Sequence, residues 1–213
     1  MVTAQDLGYQ AGQAQVFEGV YKRIMPELLK SGFRPLSPAD IMDKRLESDS
    51  SLSWDSYFDT DTGLTATTKK VQVLPRCKLL LDSNPDTKLV DNGIALPEDY
   101  DGNVTTFDRR ELILNEQLTE KQALAHKGWL ALAGNDQNRL ARYVEKTFRL
   151  GKDRFRYNEM MDFYVPEDRK PIVRGVILDR LDDGSNADGD GNLDGDDARV
   201  VGVRDEVAQN LKL

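Results

Sequence analysis

Apolar residues recur four apart at Val16, Val20, Ile24 and Leu28, with Phe17, Tyr21 and Met25 beside them. That spacing is one face of an amphipathic helix and predicts helix over 3–30. Pro26 would kink or restart it. Ala4, Gly8 and Gly12 form a small-residue stripe, read either as a glycine-weakened, frayed start or as a close helix–helix contact. After the turn "SGFRPLSP", a short helix is expected with Ser37 as its cap and Pro38 at its first position. Residues 47–68 are rich in Ser, Thr and Asp. They read as a long loop anchored by Trp54, Tyr57 and Phe58.

The period then changes. "KKVQVLP" alternates, "CKLLL" is a short apolar run, and "SNPDTK", "VDNGIAL" and "DYDGNVTTF" carry turn chemistry. A small antiparallel sheet or meander is expected over 70–107. Helical spacing returns over 108–150, with Thr119 capping one helix, a break at Gly134, and a second helix from Asn135 or Asp136 to a stop at Gly151. "IVRGVILDRL" and "ARVVGVRDE" are rich in β-branched residues. Segment 172–204 therefore reads as strand, acidic loop, strand, with the tail "VAQNLKL" extending the sheet or forming a short helix. The expected fold is α+β in a single domain over 1–213. A helical arm (1–35) precedes a small antiparallel sheet and a helical pair, and a late hairpin carries an acidic loop insertion (182–197).

Composition narrows the chemistry. The 213 residues carry a net charge of -8, 39% hydrophobic and 31% charged residues, which is polar but globular. Overall acidity disfavours nucleic acid as a whole-surface partner. No apolar run approaches the roughly 20 residues of a membrane span. The opening "MVTAQDLGYQAGQ" has neither a basic nor an apolar signal region, so a cytoplasmic or particle-associated location is expected. One cysteine, Cys77, and one histidine, His126, exclude a disulfide framework and a Cys/His zinc site. His126 has no sequence partner and reads as a packed or surface histidine. Cys77, between Arg76 and Lys78, reads as a buried strand residue rather than a catalytic thiol. Asp59 and Asp61 in "DTDTG" offer cation ligands without the rest of a loop.

The strongest spacing signal is "NADGDGNLDGDD", 186–197. Calcium takes about 6–8 oxygen ligands, and a twelve-residue loop supplies them from positions 1, 3, 5, 7, 9 and 12 with glycine at 6. Asn186, Asp188, Asp190, Asn192, Asp194 and Asp197 occupy those positions, Gly191 the sixth, and Leu193 the eighth. The stretch resembles an EF-hand loop and, more closely, the loops of dockerin modules, which also end in Asp. The resemblance covers about 16 of 213 residues. It implies calcium binding at the six positions just named and nothing for the rest of the chain. A solvated hairpin tip of the same composition, or an acidic tip that meets a partner, are the competing readings. Four carboxylates exclude a phosphate loop.

Arg139, Arg142, Lys146 and Arg149 recur at helical spacing and form a basic stripe over 135–150. It reads as a solvated face, as a contact for an acidic protein surface, or as the second helix of a helix-turn-helix on nucleic acid. With no catalytic constellation visible, the leading expectation is a non-enzymatic structural or interaction protein. It would work as a homo-oligomer, a particle component or a protein-partner module, with a calcium-ordered loop. A nucleic-acid-associated protein is second and an enzyme third.

Overall fold

The computed structural model describes residues 3–47 and 51–204. The expectation for the tail "VAQNLKL" falls outside them. The described residues build a ten-stranded mixed sheet. Its strands are β1 (Ala14–Gly19), β2 (Arg34–Pro35), β3 (Phe58–Ala66), β4 (Lys70–Leu74), β5 (Ile94–Ala95), β6 (Thr105–Asp108), β7 (Phe163–Tyr164), β8 (Ile172–Leu178), β9 (Ala187–Gly191) and β10 (Ala198–Val203). The central order is β1-β10-β3-β8-β9-β7. β2 adds to β10, β5 to β8, β4 to β3, and β6 to β4. The β10–β3 and β7–β9 pairs are parallel and the others antiparallel.

The helices are α1 (Tyr21–Lys30), α2 (Pro38–Glu47), α3 (Ser51–Trp54), α4 (Lys78–Leu81), α5 (Glu120–Ala125), α6 (Lys127–Leu132) and α7 (Gln137–Phe155). They cover both faces of the sheet. Side chains alternate along a strand, so Val200 joins a core with Phe17, Tyr21, Met25 and Leu80, while Val201 joins one with Trp54, Trp129 and Tyr143. The caps follow the sequence. Thr119 accepts from Gln122 N in a capping box, and Asp136 Oδ1 accepts from Asn138 N at 2.9 Å and Arg139 N at 3.0 Å.

Several expectations are corrected. The N-terminal arm is not one helix. Gly8 and Gly12 adopt φ +81° and Gly19 φ +137°, conformations a helix cannot contain. Between them β1 pairs in register with β10, from Ala14↔Val203 to Gly19↔Ala198. Only Ile24 and Leu28 of the four-apart set lie in α1. The sheet is large and mixed rather than small and antiparallel. "CKLLL" is the short helix α4, not a strand. Gly151 does not stop α7. It sits inside the helix because a Cβ there would lie 2.4 Å from Met160 Cε.

The largest difference is the supposed loop over 47–68. Its second half is β3, a central strand with every residue buried. Much of its polarity is absorbed by hydrogen bonds, although the buried Thr65 Oγ1 has no partner among the described residues. Thr60 Oγ1 donates to Val176 O at 2.8 Å, and Tyr21 Oη donates to Thr60 O at 2.9 Å. Arg199 N donates to Asp59 Oδ2 at 2.7 Å. A strand hydrogen-bonded in this way need not be apolar to be buried.

Candidate functional site

Five chain segments meet at a groove of about 600 Å³. The start of α2 contributes Ser37 and Pro38, β3 contributes Thr62, the β4–α4 link contributes Arg76, the entry to β6 contributes Asn103 and Thr105, and the α6–α7 turn contributes Asn135. The geometry is set locally. Ser37 caps α2, and Asp40 Oδ2 accepts from Ser37 N at 2.9 Å, Ser37 Oγ at 2.8 Å and Arg34 Nη1 at 2.8 Å. Burial opposes the charge on Asp40, but these bonds together hold its carboxyl below the usual range. Arg76, Gly134 and Asn135 all have left-handed backbones, with φ of +48°, +72° and +61°. Arg76 and Asn135 are non-glycine residues held in a sparsely populated conformation, a feature that concentrates at binding sites.

Arg76 is the sole charged residue of this lining. It is exposed and makes no hydrogen bond or ion pair among the described residues, nor do the side chains of Asn103, Thr105 and Asn135. Beneath the groove Asp61 is almost fully buried and accepts from Thr62 Oγ1 at 3.1 Å. Burial pushes its carboxyl up to about 6, against the pull of Thr62 and of Arg76.

Of the predicted ion ligands, Asp188 and Asp190 lie on β9, not in a loop. β9 pairs with β8 on one side and β7 on the other. Asp188 Oδ1 accepts from Asp190 N at 2.8 Å, and Asp190 Oδ1 lies 3.0 Å from Arg174 Nε. Asn186 Oδ1 accepts from Asp162 N at 3.0 Å and Gln117 Nε2 at 3.2 Å. Asn192 Oδ1 accepts from Asp194 N at 2.9 Å, while Asp194 pairs with Lys22 at 3.1 Å. The main-chain oxygen of Asp197 accepts from Tyr57 Oη. The six residues therefore face several different partners. Among the described residues no group of three or more His, Cys, Asp or Glu side chains could hold a metal ion.

A different acidic neighbourhood forms around Asp188. Burial raises Asp188 itself, with Asp190 adding repulsion. Burial and then Asp188 push Asp179 up to about 7. Asp162 is also raised by burial and, more weakly, by Asp188, and its Oδ1 is buried with no hydrogen-bond partner.

The basic stripe is divided. Arg139 donates from Nε and Nη2 to the two oxygens of Asp43 at 2.9 and 3.0 Å. Lys146 Nζ donates to Leu46 O at 3.1 Å. Both tie α7 to α2. Arg142 and Arg149 are exposed and flank a shallow hollow of about 350 Å³. The 119–133 helix is split at His126, which caps α6. Its Nδ1 accepts from Trp129 N at 3.2 Å, so Nε2, 2.9 Å from Ile113 O, carries the proton. Burial lowers its pKa and keeps it neutral. Cys77 is buried, which raises its thiol pKa, and receives a bond from Tyr100 Oη at 3.8 Å.

Sequence reasoning missed the groove. The Gly134–Asn135 turn was legible, but nothing in spacing places it against Arg76 and Asn103, which lie in segments remote along the chain.

No protein-family model matches the chain, nor does any curated protein. A solved structure does match, described as "Accommodation of massive sequence variation in Nanoarchaeota by the C-type lectin fold". The TM-score is 0.71 at 19% identity, over 92% of this chain and 99% of that one. This likeness, with the ten-stranded sheet, replaces the expected helical arm and small antiparallel sheet. The chain has the C-type lectin fold.

Proposed function

We propose that the chain is a non-enzymatic recognition module that binds a partner molecule in the groove between α2, β3, β6 and the α6–α7 turn. One observation carries this reading. Arg76, Asn103, Thr105 and Asn135 converge there with their side-chain donors unused among the described residues. A preformed concavity with a few converging polar groups is the usual form of a ligand site. The volume, about 600 Å³, suits a short peptide or an oligosaccharide. His126 and Cys77, the enzymatic candidates, are both committed to packing and capping. The matched structure is described as the fold accommodating massive sequence variation. We carry over only the idea that such a frame can change its surface while its core stays fixed. The partner is a protein, a second copy of this chain included, or a glycan. The nucleic-acid reading of 135–150 ranks below, because two of its four cations hold α2.

The test is a screen of the chain on peptide and glycan arrays beside an Arg76→Ala/Asn103→Ala variant. Binding that the variant loses, with an unchanged melting temperature, supports the groove. Binding that the variant keeps sinks it.

We also propose that the acidic segment 186–197 takes calcium only weakly, because the described residues bring no three acidic side chains together there. Asp190 and Asp194 are already paired with Arg174 and Lys22. We therefore expect affinity nearer the millimolar than the micromolar class, roughly 10⁻⁴–10⁻³ M. Calorimetry on chelator-stripped protein decides. Saturable binding abolished by Asp188→Asn supports the site, and the absence of heat up to millimolar calcium removes it.

A further inference from the structure

β6 is an edge strand. Among the described residues it pairs with β4 and with no other strand. The register shows which of its groups face outward. Arg109 N donates to Lys69 O at 2.9 Å, one step beyond the Lys70↔Asp108 pair. Hydrogen-bonded pairs alternate along an antiparallel ladder. Thr105 and Phe107 therefore turn their peptide groups toward β4, and Thr106 and Asp108 turn theirs away from the sheet. On β4 the other side agrees, since Lys70 O is taken by Thr67 N at 2.8 Å on the β3 side.

The two ends of this edge are cationic. The groove with Arg76 opens at Thr105. A second hollow, of about 560 Å³, lies along Thr106–Asp108, with Lys69, Lys70 and Arg110 on its lining. Asp108 is the sole acid of that lining, and Arg110 already holds it at 2.7 Å. Lys69, Lys70 and Arg76 make no ion pair among the described residues. On a chain of net charge -8 this is a local positive border.

We propose that β6 is a docking edge for an extended acidic peptide segment. The segment adds a strand outside Thr105–Asp108 and places carboxylates on Arg76 at one end and on Lys69 and Lys70 at the other. Main-chain bonds supply affinity in this mode, and alternate side chains supply selectivity. A guanidinium suits a carboxylate through two parallel bonds. The inference deepens the groove reading and rests on it.

The experiment uses the full chain, ¹⁵N-labelled, and a peptide of about ten residues alternating glutamate and threonine. Three competitors are run beside it: the same peptide N-methylated at alternate residues, its lysine counterpart, and an oligogalacturonate. The expected result is saturable shifts at Thr105–Asp108 and Arg76. Binding should weaken about tenfold or more on N-methylation, and likewise for Arg76→Glu/Lys70→Glu. Equal binding of the N-methylated or lysine peptide overturns the proposal, as does the absence of peptide binding. If only the oligogalacturonate shifts Asn103 and Asn135, strand addition falls and the groove reading stands. If every probe shifts residues elsewhere and none at the groove, both fall.

Discussion

Arg45 Nη1 donates to Tyr143 Oη at 2.7 Å, and both residues are fully buried. The same guanidinium donates to Ser53 O at 3.0 Å, Ser56 O at 2.9 Å and Asp179 O at 2.7 Å, and lies 5.4 Å from the Trp54 ring. One side chain from α2 thus joins the α3 region, α7 and the end of β8. Arg45→Met would leave those acceptors buried and unpaired. We expect a loss of about 3 kcal/mol, against about 1 kcal/mol for Tyr143→Phe, read from urea unfolding. A near-neutral Arg45→Met would show that water reaches this cluster.

Stability should fall as the pH rises from about 4 to about 7. Burial raises Asp59 to about 7, Asp61 to about 6 and Asp179 to about 7 from an ordinary 3.8. Folded-state values above the unfolded one mean that the stabilisation is complete below 3.8 and is lost as the pH rises through about 6 to 7. Asp40 is held low and acts in the opposite sense, losing its contribution only in acid. Denaturant midpoints should therefore peak near about pH 4 and drop by the equivalent of a few kcal/mol by about pH 7. Asp59→Asn, which keeps an acceptor for Arg199 N, should flatten the slope. An unchanged slope would remove Asp59 as its source.

Gly191→Ala separates two roles of the acidic segment. In a twelve-residue ion loop this glycine makes a turn. In the sheet it lets β9 approach β8, and a Cβ there would lie 2.5 Å from Gly175 O. We expect a loss of about 1–3 kcal/mol without calcium, from overpacking alone. Gly195→Ala should cost far less, since its Cβ would meet Asp197 Oδ1 at 3.1 Å, the end of an exposed side chain. Equal costs at both positions would argue against the strand register.

Arg139→Ala should lower stability by about 1 kcal/mol through the lost two-point contact with Asp43. Arg142→Ala, on the same helix and exposed, should change it by less than about 0.5 kcal/mol. If Arg142→Ala instead abolishes retention on heparin at low salt, the nucleic-acid reading of α7 regains ground.

The sequence by itself determined the features whose causes are local. Ser37 and Pro38 start α2, Thr119 and Gln122 box the start of α5, and Asp136 starts α7. β4, β8 and β10 announce themselves through alternation or β-branched runs. These signals act within a few residues, so they can be read from a single chain. The tertiary structure decided what depends on partners far along the chain. β1 takes a helix-like spacing and becomes a strand because β10 lies beside it. β3 has the composition of a loop and becomes the central strand because partners such as Val176, Arg199 and Tyr21 take up the polar groups of Asp59 and Thr60. "NADGDG" matches an ion loop residue by residue, yet in the sheet its glycines make room for Gly175 and Leu64. Long-range backbone pairing outweighs local propensity at each of these positions, and it alone brings Arg76, Asn103 and Asn135 into one groove.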